Sequence, residues 1–235
     1  MTVRQFSFQL VLGAFVTLGN AASAVGNSMQ TSGEQPRTLV ILGASYAQGW
    51  GTPLLAGYDR VINRGVGGEE TGDMLARLPA DVLAAKPHAV LVWGHVNNIT
   101  RAAPDGIEAA KSAARGHYDQ MLRQARAAGI DVIFATEVPW TEESGFINTV
   151  YGWLAGLMGK TSYAVRVSGH VEDVNAHLRA LAAREGLRLL DFGKAFANED
   201  GTRRQEFAAE DGSHINEAGY RALTEYANRE LRKTK

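Results

Sequence analysis

Thr38-Leu39-Val40-Ile41-Leu42, followed at once by Gly43-Ala44-Ser45, is a continuous apolar run closed by a glycine and a serine. A strand buried on both faces reads this way, because neither side of its pleat meets water. Four further strand-like runs follow, the first weaker and ended by the glycines at 65 to 68, the last short. They are Arg60-Val61-Ile62-Asn63, His88-Ala89-Val90-Leu91-Val92-Trp93, Asp131-Val132-Ile133-Phe134-Ala135-Thr136 and Leu187-Arg188-Leu189-Leu190. Helical patterns fill the gaps: 71 to about 83 with Pro79 as a break, 107 to 128 ended by Gly129, and 171 to 184 with Gly186 just beyond. Asn216 can cap a last helix, in which Leu223, Tyr226 and Leu231 fall at helical spacing. Strand alternating with helix five times predicts an α/β domain built on a doubly wound, five-stranded parallel sheet.

The chain has 235 residues, enough for one domain with a full core. Its net charge of −1 offers no basic face for nucleic acid. It has no cysteine, so disulfides and a lipid-bearing N-terminal cysteine are both excluded. The N-terminus stands apart. A short start carrying Arg4 precedes a mostly apolar stretch from 6 to 18, and Ala22-Ser23-Ala24 follows. That pattern predicts a signal peptide over 1–24, and hence a secreted or periplasmic protein. A retained anchor or a buried helix is the alternative, but the stretch is short for a bilayer, so no stable membrane insertion is expected after cleavage. Residues 25–36 then read as a flexible lead-in, and 37–235 as a single domain.

In a sheet of this kind ligands bind outside the carboxyl ends of the strands. Ser45 follows the first strand, Gly68 the second and Asn97 the third. Asp211 and His214 follow the region of the fifth. A serine, a histidine and an aspartate are the parts of a nucleophile, a base and an orienter. The N–H groups of Ser45 and Gly68 and the side-chain amide of Asn97 are candidate donors to an oxyanion. Each residue has a plainer reading. Ser45 can cap the next helix, Gly65, Gly67 and Gly68 can form a tight turn, Asn97 can be a turn residue, and Asp211 can be a surface acid beside an Asx-turn. Their common place at one sheet edge favours the catalytic reading. No lysine follows the glycines as a phosphate-binding loop would need.

Taken together these blocks resemble the SGNH, or GDSL, hydrolase superfamily. Gly43-Ala44-Ser45 is similar to its first block, and Asn63-Arg64-Gly65-Val66-Gly67-Gly68 followed by Thr71 to its second. Trp93-Gly94-His95-Val96-Asn97-Asn98-Ile99 is similar to its third, and Asp211-Gly212-Ser213-His214 to its last. The resemblance spans about residues 37 to 233. It implies a flavodoxin-like, three-layer α/β/α fold and hydrolysis of carboxylic esters without a metal or other cofactor. It assigns the nucleophile to Ser45, the rest of the triad to Asp211 and His214, and the oxyanion hole to Ser45, Gly68 and Asn97. Ala44 and Asn98 stand where the family usually has Asp, and the third block is one residue longer than its commonest form. Two explanations are open: the lost acids make the pocket easier for an anionic substrate to enter, or both positions tolerate drift.

About thirty residues, 139–169, separate the fourth strand from the next helix, long for such a connection. Trp140, Phe146, Tyr151 and Trp153 lie there and are candidate pocket residues. The segment reads either as a mobile lid or as a static cover with a helix over about 147–158. His170 and His177 are seven apart, with no third ligand in view for a metal. The expected partner is an ester substrate, an acylated glycan or a lipid, with short-acyl or O-acetyl esters preferred and lipid or aryl esters next. An acyltransferase on the same scaffold and a non-catalytic carbohydrate-binding module are the rival readings.

Overall fold

The structure, a computed structural model, describes residues 36–141, 162–199 and 201–233. Five parallel strands form one sheet in the order β2-β1-β3-β4-β5. They are β1 Thr38–Gly43, β2 Arg60–Gly65, β3 Ala89–Trp93, β4 Asp131–Ala135 and β5 Arg188–Leu190. The helices are α1 Ser45–Trp50, α2 Thr71–Leu78, α3 Val96–Thr100, α4 Ile107–Ala127, α5 Tyr163–Glu185, α6 Phe192–Phe196 and α7 Glu217–Leu231. This is the doubly wound, three-layer arrangement expected from the sequence.

Side chains alternate across each strand, and both faces are apolar. In β1, Leu39 and Ile41 pack with Trp50, Phe192 and Leu223 on one side. Val40 and Leu42 pack with Met74, Tyr118 and Leu178 on the other. Full burial of one such aliphatic side chain contributes roughly 1.5–3 kcal/mol, so the continuous run at 38–42 holds two layers of helices at once. The chain leaves β1 for β2 on one side and later passes back to β3 on the other. The connections after β1 and β3 therefore diverge and leave a crevice at their carboxyl ends.

Three local features differ from the sequence reading. Pro79 ends α2 but does not stop the winding: a π-helical turn, Pro79–Leu83, follows directly. Proline has no N–H to complete the α ladder, and the widened turn closes through Ala84 N–H to the Pro79 carbonyl at 2.9 Å. Helix α5 starts at Tyr163, eight residues earlier than the apolar periodicity suggested. Ser162 caps it by accepting from Val165 N–H at 3.2 Å. Ser168, inside the segment 139–169 that separates β4 from the expected helix, sits within the helix with its hydroxyl bonded to the Trp140 backbone. The third is α3, a single turn after β3 for which the sequence reading predicts no helix. Residues 1–35 and 142–161 lie outside the described residues, and with them the signal peptide, most of the lead-in, the helix over about 147–158, and Phe146, Tyr151 and Trp153. Among the described residues no helix is long and apolar enough to cross a membrane.

Candidate active site

Ser45 is the first residue of α1, and Ala44 occupies the cap position, so the Ser45 hydroxyl is not the helix cap. The turn is tight because β1, β3 and α1 meet there. A Cβ on Gly43 would stand 2.2 Å from the Trp93 carbonyl oxygen and 2.5 Å from the Ala47 side chain. Neighbouring strands hold the turn through Ala44 N–H to Trp93 O at 3.3 Å and Val66 N–H to Gly43 O at 3.0 Å. Arg77 adds a third hold: its Nη2 donates to Gly43 O at 3.0 Å, while Nε and Nη1 bind Glu69 and Asp81, each at 2.6 Å.

The second turn is fixed by Asn63. Its amide donates to the carbonyls of Ala47 and Gly51, and its oxygen accepts Gly65 N–H at 2.7 Å. Gly68 then takes φ +81°, a conformation that disfavours any side chain. Asn97, on the first turn of α3, donates from Nδ2 to the carbonyl of Glu69 at 2.8 Å. An amide NH₂ has two donors, so this bond ties Asn97 to the Gly68 turn and leaves one N–H for a ligand.

Asn98 and Ala44 are both buried, at 6% and 4% exposure. Asn98 accepts Thr71 N–H at 3.1 Å and donates to the Glu70 carboxylate at 3.3 Å. An Asp at 98 would meet that carboxylate with a second negative charge. Ala44 lies against Gly94. Both positions therefore belong to the packing under the site, which favours drift at structural positions over easier entry of an anionic substrate.

His214 and Asp211 lie on the loop before α7. Nδ1 of His214 is 2.6 Å from Asp211 Oδ2, and Oδ1 accepts the N–H groups of Ser213 and His214 at 2.9 and 2.8 Å. Ser213 Oγ is also 3.2 Å from Nδ1. Partial burial pushes the Asp211 carboxyl up. The His214 N–H, the His214 ring and the Ser213 N–H outweigh it and hold the group at about 2. A carboxylate on Nδ1 selects the tautomer that leaves Nε2 as an acceptor. The loop is brought to α1 by the residue next to Ser45: the Tyr46 hydroxyl donates to the Ser213 carbonyl at 2.6 Å. The Tyr46 and His214 rings meet edge to face, with centroids 6.3 Å apart. Trp140 stands beside them, its indole N–H donating to the Tyr46 oxygen at 3.0 Å. His177 is placed elsewhere, 3.6 Å from Asp119.

The sequence reading missed Glu137, which follows β4 at the same sheet edge. It is buried, and Oε1 accepts His95 N–H at 2.7 Å and Val96 N–H at 3.3 Å. Those are the first free N–H groups of α3, so Glu137 anchors the helix that carries Asn97. The strand-edge rule that singled out Ser45 and Asn97 would have found it too. Burial pushes its carboxyl up to about 7, against the pull of those N–H groups. Burial pushes His95 the other way, down to about 3, so its ring stays neutral between Tyr118 and the Val171 carbonyl.

The Glu137 shift has a sign that can be measured. A carboxyl whose pKa is higher in the folded chain carries no penalty below about pH 4.5, its ordinary value, and the full penalty above about pH 7. Glu137→Gln keeps the carbonyl acceptor and removes the charge. Relative to the native chain, the variant should gain about 3 kcal/mol of stability between pH 4.5 and pH 8.5. Urea unfolding at both pH values checks this, and a difference that does not change with pH would refute it.

A doubly wound sheet with a serine turn, an Asp–His pair and amide donors along one edge has the layout of a hydrolase. The chain belongs to the GDSL-like Lipase/Acylhydrolase family, whose model matches residues 24–222, and it is a carboxylic ester hydrolase. No curated protein sequence matches it. Solved structures with the same fold include a GDSL-like lipase from Bacteroides thetaiotaomicron, at 17% identity and TM-score 0.61, covering 82% of this chain and 86% of that one. A lipase/acylhydrolase from Enterococcus faecalis aligns at 21% identity and TM-score 0.58, covering 83% and 95%. An acetyl xylan esterase aligns at 18% identity and TM-score 0.60, covering 80% and 96%.

Proposed function

We propose that this chain is an exported serine esterase that cleaves short-acyl or O-acetyl esters through an acyl-Ser45 intermediate. The observation that carries the reading is the Asp211–His214 pair. Its 2.6 Å bond leaves Nε2 free to accept a proton, at the sheet edge that also carries Ser45. In the first half-reaction Ser45 Oγ adds to the ester carbonyl carbon while Nε2 takes its proton. The carbonyl oxygen becomes an oxyanion, received by the N–H groups of Ser45 and Gly68 and the remaining side-chain N–H of Asn97. One such donor is typically worth about 10²–10³ in rate. The C–O bond to the alcohol then breaks, and the alcohol leaves with the proton from His214. In the second half-reaction water gives its proton to His214, its oxygen adds to the acyl carbon, and Ser45 recovers its proton as the acid departs.

The acetyl xylan esterase among the similar structures supports a small acyl group on a glycan. The signal-like segment at 1–24 supports action outside the cytoplasm. Trp140 beside Tyr46 favours a second substrate class, lipid or aryl esters, because it sets an apolar ring next to the site. A fluorophosphonate probe should label Ser45 stoichiometrically, located by mass spectrometry of the digested protein. Absence of label would remove the serine mechanism. Hydrolysis of p-nitrophenyl esters from acetyl to palmitoyl should peak at acetyl, whereas a peak at long chains would move the substrate class to lipids.

A further inference from the structure

Arg203 lies in the loop between α6 and α7, and its side chain is fully buried. Arginine is almost never fully buried unless its charge and its N–H groups are met. Here four uncharged oxygens meet them. Nε donates to the Pro139 carbonyl at 2.8 Å, Nη1 to the His214 carbonyl, and Nη2 to the Ser213 carbonyl at 2.8 Å and the Tyr46 hydroxyl oxygen at 2.9 Å. The guanidinium also stacks over the Tyr46 ring, 5.4 Å from its centroid.

The Tyr46 hydroxyl is equally committed. It donates to Ser213 O and accepts from Arg203 Nη2 and the Trp140 indole, which uses its one proton and both lone pairs. Burial pushes its pKa up to about 12, so it keeps that proton at any working pH. The Arg203 backbone N–H closes the unit by donating to the Trp140 carbonyl at 3.0 Å. Three chain segments thus meet in one buried polar knot: the start of α1, the segment after β4, and the Asp211–His214 loop.

Both carbonyls that Arg203 grips on the last loop belong to Ser213 and His214, and the aromatic ring it grips belongs to the neighbour of Ser45. We propose that Arg203 and Tyr46 are positioning residues of the ester hydrolysis: together they set where His214 stands relative to Ser45, with Trp140 as the third arm of the clamp. The proposal rests on the serine-esterase reading above. A fork with fixed donors suits the task, because one side chain ties both carbonyls and the hydroxyl at once. Misplacing a reacting pair by about 1 Å costs roughly 10²-fold in rate, so a loosened clamp should be felt in turnover.

A residue that only stabilises the fold would not change turnover of the molecules that remain folded. The decisive variant is Tyr46→Phe, which keeps the ring and its stacking and removes the hydroxyl. With rates expressed per folded molecule from circular dichroism, kcat should fall roughly 10- to 100-fold. KM should stay within about two-fold, since the clamp acts through His214 and not on the substrate. Fluorophosphonate labelling of Ser45 should slow by the same factor as kcat. Arg203→Ala should lose more, and added methylguanidinium should restore part of its activity; should Arg203→Ala fail to fold, Tyr46→Phe still decides. Native kcat and native labelling rate in folded Tyr46→Phe would overturn the clamp while leaving the esterase reading in place. Absence of label on Ser45 in the unaltered protein would instead overturn that reading and this proposal with it.

Discussion

Ser45→Ala is expected to lower kcat on an acetyl ester by roughly 10⁶-fold. The proposed cycle has no second nucleophile of comparable place. Water would have to attack directly, helped only by the oxyanion donors, which leaves roughly 10³-fold over the uncatalysed rate. Stability should hardly change. Ala44 sits at the cap of α1, so the serine hydroxyl satisfies no helix end and its loss costs no cap. His214→Ala should cost as much as Ser45→Ala, and the double variant no more than either alone, because nucleophile and base act as one unit. Initial rates and thermal unfolding of the three variants test this together. A folded Ser45→Ala with more than a tenth of native activity would sink the nucleophile assignment, and multiplicative losses would sink the coupling to His214.

The parts of this fold legible in the sequence are those governed by local rules. A buried parallel strand must be apolar on both faces, so β1, β3 and β4 announce themselves as runs. The edge strand β2 is visible mainly through the glycines that end it, since most of its residues are only partly buried. The residues of the proposed site could be singled out for a related reason. Ser45, Gly68 and Asn97 follow strands directly, and Asp211 and His214 are three apart on one loop, so sequence adjacency stands in for spatial adjacency. Arg203 and Tyr46 had no such signal. They are 157 residues apart in the chain, and only packing brings them within 2.9 Å. Arg203 sits in the polar stretch Thr202-Arg203-Arg204-Gln205, where an arginine reads as solvated. Tyr46 reads as one more apolar residue of α1.

The site therefore rests on two kinds of support. Residues that carry the proposed chemistry lie on turns and are partly open. Asp211 and His214 side chains are half exposed, which a substrate needs. Those that hold the turns in place are Arg77, partly buried behind Gly43, and three buried groups: Tyr118 across the Gly94 peptide, Glu137 behind α3, and Arg203, earlier on the last loop, behind its Ser213 and His214 carbonyls. Several are charged or titratable groups with little water around them, an arrangement that costs stability but admits one geometry when every donor is met. It also explains how the site keeps its frame although Ala44 and Asn98 replace the acids usual in the family. Asn98 keeps one acceptor for Thr71 and gains a donor for Glu70, so the turn bearing Gly68 stays tied to α3.

Asp211→Asn should be the most damaging change after those at Ser45 and His214, lowering kcat by about 10⁴-fold with the loop left in place. The loop survives because an amide oxygen at 211 can still accept the Ser213 and His214 N–H groups that Oδ1 accepts now. What changes is the other atom. An NH₂ in place of Oδ2 faces His214 Nδ1 with a donor, so Nδ1 must give up its proton and Nε2 must carry one. The ring is then in the wrong tautomer to take a proton from Ser45. Asp211 itself does not titrate across the working range. Asp211 is held at about 2 in the folded chain, below its ordinary 3.8. A depressed carboxylate contributes its stability above the unfolded value and loses it only as pH falls toward the folded one. From pH 5 upward Asp211 is fully charged, so the defect of the variant there reflects the orientation of His214 and not a protonated Asp211 in the native chain. A ratio of native to variant kcat below ten at pH 8 would mean that Asp211 does not orient the base.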